Sequence, residues 1–232
     1  MKLPLSNRLL ACCGFVHPGD RVADVGCDHG YLGIHLLQSG IASSVIESDI
    51  NELPLKSAMD NAAKFGVSDR ISFFRSDGVR QIPRDFDCMV CAGMGADTMI
   101  SILEAAPWLK SGRYRLILQC QSKRPTLRKY LSANGYSISR ETLAQDGKFI
   151  YPVTEVCYAP GAAPAPWEYY ITPQLIADGS PLLLPFVRRV IGGVEEGLLG
   201  FRSGNKDGEQ EMTAVCAYLK ELERRLSNGN GE

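Results

Sequence analysis

The sequence predicts an α/β fold in which a mostly parallel seven-stranded sheet is followed by a C-terminal antiparallel helical hairpin of coiled-coil type. Three observations lead there. Between Arg21 and about Ala159, short apolar β-branched runs alternate with longer segments of helical period, the mark of successive βαβ units. The last two runs, 136–143 and 149–157, are separated only by Ala144-Gln145-Asp146-Gly147-Lys148, a hairpin-type connection. Beyond Pro160, apolar residues recur every three and four positions in two separate stripes, as on helices that lie against one another.

Taken in order, a short amphipathic helix is expected to end at Gly14. Its Leu9-Leu10-Ala11-Cys12 imitates a lipoprotein cleavage site, but Ser6-Asn7-Arg8 interrupts the apolar stretch that a signal peptide needs. Strands are expected at 21–25, 44–48, 71–74, 87–92 and 114–119, and helices at 31–39, 53–65, 96–105 and 126–134. Pro160-Gly161-Ala162-Ala163-Pro164-Ala165-Pro166 continues neither strand nor helix, so it divides a domain at 1–160 from an appendix at 161–232. In the appendix, Leu183, Val187, Val190, Val194, Leu198 and Phe201 form one stripe, and Met212, Val215, Leu219, Leu222 and Leu226 the other. Ser203-Gly204-Asn205-Lys206-Asp207-Gly208 reads as the turn between them. Gly192, Gly193, Gly197 and Gly200 weaken the first helix, each by roughly 1 kcal/mol relative to Ala, so it needs its partner.

Composition narrows the function classes. In 232 residues, 25 Lys and Arg stand against 26 Asp and Glu, and a chain so near neutrality cannot coat a polyanion by charge alone. The first part is slightly basic (18 against 16) and the appendix slightly acidic (7 against 10), so contact with a nucleic acid must be local. A 45% hydrophobic, 22% charged chain is that of an ordered globular protein. Its eight cysteines sit inside apolar segments without framework spacing, which fits a reducing cytoplasm. No apolar run reaches the roughly 18 residues that span a bilayer. His17 and His35 pair with no cysteine or acid at metal-ligand spacing, so no metal is expected. Cys88-x-x-Cys91 lies in a strand whose alternation turns its two thiols to opposite faces. No obligate protein partner is indicated.

The densest chemistry is Asp24-Val25-Gly26-Cys27-Asp28-His29-Gly30-Tyr31-Leu32-Gly33, a loop between the first strand and a helix. A dinucleotide loop spaces its glycines so that backbone amides meet a pyrophosphate. Here position 28 is a carboxylate, which repels phosphate but attracts a cation. S-adenosylmethionine carries a sulfonium and an ammonium and no phosphate, so the loop favours it over a dinucleotide. About 20 residues on, the second strand ends at Glu47-Ser48-Asp49, where a carboxylate accepts from ribose hydroxyls. Either acid fits; Asp49, last on the strand, is preferred. After the third strand, Asp77 of Ser76-Asp77-Gly78 is placed to accept from an adenine amino group, unless the Asp-Gly pair is a plain turn. The fourth strand runs into Cys91-Ala92-Gly93-Met94-Gly95-Ala96, either a ligand wall or simply a tight turn.

These residues resemble a family. Leu5-Ser6-x-Arg8-Leu9, the Asp24–Leu32 run, Ser76-Asp77-Gly78 and Ala92-Gly93-Met94-Gly95 are similar to the bacterial tRNA (adenine-22 N1)-methyltransferases, over nearly all of the first 160 residues. The resemblance implies a Rossmann-like class I methyltransferase domain that uses S-adenosylmethionine to methylate N1 of an adenine in the D-arm region of tRNA, in the cytoplasm. It implies cofactor contacts from Arg8, Asp24, Gly26, Asp28, Gly30, Asp49, Asp77, Gly78, Ala92, Gly93 and Met94, and a hairpin that helps grip the tRNA. Asp28, His29 and Tyr31 are the candidates beside the reacting base, although His29, even beside Asp28, is as readily structural. Two departures fall near the expected adenine pocket: Gln119-Cys120-Gln121 stands where the family reads Gln-Pro-Asn, and Tyr151-Pro152 where it reads Tyr-Glu. For phosphate contact the expected clusters are Lys123-Arg124 with Arg128-Lys129, and Arg188-Arg189; Arg224-Arg225 reads as a solvated face. The competing readings are a methyltransferase for a small molecule or protein, with the hairpin as a dimerisation device, and a non-catalytic RNA-binding module on the same scaffold.

Overall fold

The computed structural model describes residues 3–200 and 206–228, which divide into two compact units, 1–162 and 163–232. In the first unit the order is α1 (Asn7–Cys13), β1 (Arg21–Val25), α2 (Tyr31–Gln38), β2 (Ser44–Asp49), α3 (Glu52–Lys64), β3 (Ile71–Arg75), β4 (Cys88–Met94), α4 (Ala96–Glu104), β5 (Arg115–Cys120), α5 (Arg124–Ala133), β6 (Tyr136–Asp146) and β7 (Phe149–Tyr158). The seven strands form one sheet in the order β3-β2-β1-β4-β5-β7-β6. β1 to β5 pair in parallel, and β7 runs antiparallel to both β5 and β6. This is the expected Rossmann-like methyltransferase layout. Strand order reverses between β1 and β4, and ligands in such sheets sit at that switch point, beyond the carboxyl ends of the strands.

The sheet is buried on both faces because alternate strand residues are apolar both ways. Ala23, Val25, Met89, Cys91, Leu116 and Leu118 join one core, with Met99 and Leu103 of α4 and Leu127 and Leu131 of α5. Val22, Val45, Cys88, Val90, Ile117 and Val153 join the other, with Cys12 and Cys13 of α1, Ile34 and Leu37 of α2, and Ala62 of α3. Cys88 and Cys91 thus lie on opposite faces of β4, as strand alternation requires. All eight cysteines are free thiols.

The structure sharpens the final hairpin. β6 continues to Asp146, which pairs with Phe149, so the predicted five-residue connection shrinks to Gly147-Lys148. A two-residue turn demands left-handed backbone, and Gly147 supplies it at φ +57°. The tip also caps α1: the Asn7 N–H donates to Asp146 Oδ1 at 2.8 Å and the Arg8 N–H to Oδ2 at 3.4 Å. A carboxylate there satisfies orphan amides and complements the helix dipole.

In the second unit, α6 (Pro173–Ala177) starts where Thr172 Oγ1 accepts from the Leu175 N–H at 3.1 Å. α7 (Leu183–Gly200) and α8 (Lys206–Asn228) are antiparallel, as the ion pairs Arg188–Glu223 at 2.8 Å and Glu195–Lys220 at 2.6 Å require. α7 buries Leu183, Phe186, Val187, Ile191 and Val194. Phe186 and Ile191 take the place predicted for Val190 and Leu198, which are half-buried, because the buried stripe is broader than a strict coiled-coil seam. α8 buries Val215, Cys216, Leu219 and Leu222. Lys206, Asp207 and Gly208 are helical rather than part of a turn, while Phe201 and 203–205 lie outside the described residues. Among the described residues no helix is long and apolar enough to cross a membrane.

Candidate functional site

A cavity of about 680 Å³ opens at the carboxyl ends of β1 to β4, within the usual range for a small-molecule site. Four successive loops build it, and they contribute Gly26 to His29, Asp49 to Asn51, Ser76 to Gly78, and Ala92 to Met94. Arg8 and Leu9 of α1, Tyr31 of α2, and Asp97, Thr98, Ser101 and Ile102 of α4 complete the wall. The structure therefore gathers Arg8, Asp24, Gly26, Asp28, His29, Tyr31, Asp49, Asp77, Gly78, Ala92, Gly93 and Met94 around one space. Gly30 is set apart from the other expected residues: it does not line the cavity, and a Cβ there would lie 2.9 Å from Ala58 Cβ. Its work is to start α2 in left-handed backbone, at φ +69°.

The first loop is not built for phosphate. The Gly26 and Cys27 N–H groups both donate to the Ser48 carbonyl, at 2.8 and 3.0 Å, and the Gly30 N–H donates to the Cys27 carbonyl at 2.9 Å. Amides that would meet a pyrophosphate are thus spent inside the protein. Asp28 occupies the turn at φ +52°, and its exposed carboxylate lies 3.6 Å from His29 Nε2. The Asn61 amide donates to the His29 carbonyl at 3.0 Å, while the His29 and Tyr31 rings sit 5.7 Å apart at the rim. The cavity thereby presents Asp28, Asp49 and Asp77 along one line of loops and a guanidinium from α1 opposite.

Each carboxylate is held by its own loop. Asp49 Oδ1 accepts from the Asn51 N–H at 2.8 Å, which orients the group at the end of β2. Asp77 pairs with Arg80 at 3.3 Å, and its N–H donates to Gln81 Oε1 at 2.9 Å. Glu47, the alternative to Asp49, is fully buried and outside the cavity. It faces Asp24 across the β1–β2 register, and neither of its carboxyl oxygens accepts a well-formed hydrogen bond. Burial pushes the pKa of both acids up, with the Asp24 charge adding to the rise at Glu47. Gly33 exists for this acid: a Cβ there would lie 2.0 Å from Glu47 Oε1.

The fourth loop is a β-bulge. The β4–β5 register shifts between Ala92 and Met94, leaving Gly93 at φ +83°. A Cβ on Gly93 would crowd Arg8 Nη1 at 3.4 Å, and one on Gly26 would strike Met94 Cε at 2.2 Å, so main chain forms the wall where a ligand must pass closely. Gln119 holds this corner together. Its Oε1 accepts from Arg8 Nη1 at 3.0 Å and from the Gly93 N–H at 3.1 Å, although the side chain is wholly buried. The sequence offered Glu47 only as an alternative ribose acceptor and Gln119 only as part of a departure from the family pattern, so neither buried role was foreseen; an acid and an amide inside apolar strand runs were the available signal.

The expected phosphate-binding clusters separate. Lys123, at the head of α5, reaches Asp97 of the cavity wall at 2.7 Å. Lys129 is exposed and Arg124 half-buried. Arg128 is a correction: it is buried against β6, where its guanidinium bonds Glu141, which also accepts from Thr154 Oγ1 at 2.7 Å. Arg128 sits on the inward side of an amphipathic helix, so it braces α5 on the sheet and cannot reach RNA. Arg188 is tied to Glu223, and Arg189 is exposed on the same helix.

Residues 5–154 match the family model described as a methyltransferase domain. The chain belongs to this methyltransferase-domain family. A putative tRNA methyltransferase of Mycoplasma genitalium is 36% identical over 135 residues, 57% of this chain and 59% of that protein. The tRNA (adenine(22)-N(1))-methyltransferase of Bacillus subtilis is 34% identical over 149 residues, 63% of each chain. This methyltransferase-domain chain therefore spans under two thirds of the curated relatives it matches. A crystal structure of a putative tRNA (m1A22) methyltransferase of Streptococcus pneumoniae in complex with S-adenosyl-L-methionine superposes with a TM-score of 0.81 at 25% identity, covering 94% of this chain and 99% of that one.

Proposed function

We propose that the chain is a cytoplasmic S-adenosylmethionine-dependent methyltransferase that modifies N1 of adenine 22 in bacterial tRNA. The observation that carries this reading is the cavity itself: its first-loop amides are consumed by the Ser48 carbonyl, while Asp28, Asp49 and Asp77 line it. Such a donor set refuses phosphate and suits a cationic nucleoside. The named relatives supply the substrate class, and the resemblance of the Asp28-His29-Gly30-Tyr31 and Ala92-Gly93-Met94-Gly95 runs points the same way.

In this reading Asp49 accepts from the ribose hydroxyls, Asp77 from the adenine amino group, Asp28 with Asp24 faces the ammonium, and Arg8 faces the carboxylate. Gly26, Gly78, Ala92, Gly93 and Met94 give the close walls, and Gly30 shapes the turn that presents Asp28. When bound, S-adenosylmethionine supplies an electrophilic methyl group. Adenine N1 offers an in-plane lone pair and needs no base before it attacks, so the residues of the chain act mainly by alignment, an effect that reaches roughly 7–11 kcal/mol in well-oriented systems. Tyr31 and His29 stand at the rim where the entering base must lie, and Asp28 lies beside the positive charge that the methylated ring acquires. Lys123, Arg124 and Lys129 meet phosphates near the cavity, and Arg188 and Arg189 do so on the hairpin. A paired or stacked target must leave its stack to expose N1.

The test joins calorimetry to methyl transfer. Titration with S-adenosylmethionine should give one site, and methyl-labelled cofactor should pass its label to unmodified bacterial tRNA. Cofactor binding without any labelling of tRNA would overturn the substrate; no cofactor binding at all would overturn the enzyme.

A further inference from the structure

We propose that the tip of the β6–β7 hairpin is a stacking platform for unpaired nucleotides flanking the target base, with Phe149 and Tyr151 as its aromatic faces and Lys148 as its phosphate contact. The proposal rests on the RNA-modifying reading above.

Phe149 and Tyr151 are two apart on one strand, so they project from the same face. Their ring centroids lie 6.1 Å apart at 40°, Phe149 is 38% exposed at the very tip, and Lys148 Nζ stands 5.4 Å from its ring. Asp146 lies opposite Phe149 in the register. Both its oxygens are taken by α1 N–H groups, and Arg8 Nε lies 3.6 Å away. The Asn7 side-chain amide also donates to the Gln145 carbonyl at 2.8 Å. The tip is therefore clamped to α1 with its acid neutralised, so the aromatic pair keeps its position before any ligand arrives and the local field is cationic. Arg8 joins the two places: it lines the cavity and touches Asp146, which puts the platform one side chain from the cavity mouth. Fixed aromatic faces beside a lysine are the chemistry of single-stranded nucleic-acid binding, because every base has a π-face. A single large exposed apolar side chain is too little for a protein interface.

The full chain would be titrated with unmodified tRNA transcript carrying 2-aminopurine next to the target adenine, with cofactor affinity measured on the same proteins. Wild-type protein should quench the 2-aminopurine. Phe149→Ala should weaken tRNA binding about tenfold and restore the fluorescence, because it removes one stacking face, whereas Phe149→Trp should keep wild-type affinity and quenching. Lys148→Ala should lower the salt slope of binding by about one. Cofactor affinity should not move in any variant. Unchanged tRNA affinity and quenching in Phe149→Ala would overturn the platform and leave the tRNA reading standing. Failure of the wild type to bind tRNA would remove both. A Phe149→Ala protein that lost self-association while keeping RNA affinity would make the tip a protein contact and overturn the assignment.

Discussion

Asp24 in the cavity wall and Glu47 behind it face one another across the β1–β2 register, both buried, and neither oxygen of Glu47 has a hydrogen-bond partner among the described residues. Burial lifts the Asp24 pKa to about 7, and burial with the neighbouring Asp24 charge lifts that of Glu47 well above its ordinary range. Between the ordinary carboxyl range and about 7, the unfolded chain gives up these protons and the folded chain keeps them. Their contribution to stability is therefore fully present at low pH, falls as pH rises above the ordinary carboxyl range, and is lost for each acid once pH passes its raised folded-state pKa, about 7 for Asp24. Glu47→Gln removes one of the two ionisations, so thermal melting should show a Tm roughly 2–4 °C above wild type at pH 8, with the gap closing towards pH 4. A constant gap at every pH would show that the acid pair does not titrate. Gly33→Ala should destabilise because its Cβ would overlap Glu47 Oε1 and lie 2.8 Å from Val45 Cγ1, and adding Glu47→Ala should recover only the part of the loss that the acid causes. At the surface of the cavity the effects differ in kind. Asp49→Ala should lower S-adenosylmethionine affinity about tenfold or more in calorimetry while leaving Tm without ligand within about 1–2 °C of wild type.

Helix α5 carries two kinds of basic residue that sequence alone could not tell apart. Arg128 bonds the buried Glu141 of β6, so Arg128→Ala leaves an acid uncompensated and should cost about 3–5 kcal/mol in denaturant unfolding. Lys129 is exposed; Lys129→Ala should leave stability unchanged and reduce the salt slope of tRNA binding by about one. The reverse assignment would show up as normal unfolding for Arg128→Ala. The succession of strands and helices and the mostly parallel seven-stranded sheet were legible because they depend on local signals: β-branched runs, helical periods and the turn residues between them. Arg128, Gln119 and Glu47 were not, because their roles depend on partners across the sheet. Gln119 joins α1 to the β4 bulge across 111 residues of chain, and Arg128 lies among the inward-facing Leu127 and Leu131 of α5, where it meets Glu141 of β6. The final hairpin was placed correctly but its turn was drawn too long, since Gln145 and Asp146 read as loop residues until Asp146 is seen to cap α1.

For the whole molecule, near-neutral charge becomes intelligible once it is resolved into places. Acids gather in the cavity, where a cation is to be held, while Arg8 lines it and Lys123 reaches Asp97 of its wall. Affinity for tRNA should therefore fall with salt by a modest power, set by a few phosphates rather than by a broad basic face. The appendix carries Arg188, paired with Glu223, and the exposed Arg189 on α7, and its expected role is a positioning contact. The central claim is methylation of a defined atom at a defined place. Incubation of an unmodified tRNA transcript with the protein and S-adenosylmethionine, followed by nuclease digestion and mass spectrometry of the fragments, tests it most directly. The account predicts 1-methyladenosine at position 22 and none in a transcript carrying guanine there. A protein that binds the cofactor yet leaves adenine 22 unmethylated, or methylates elsewhere, would contradict it.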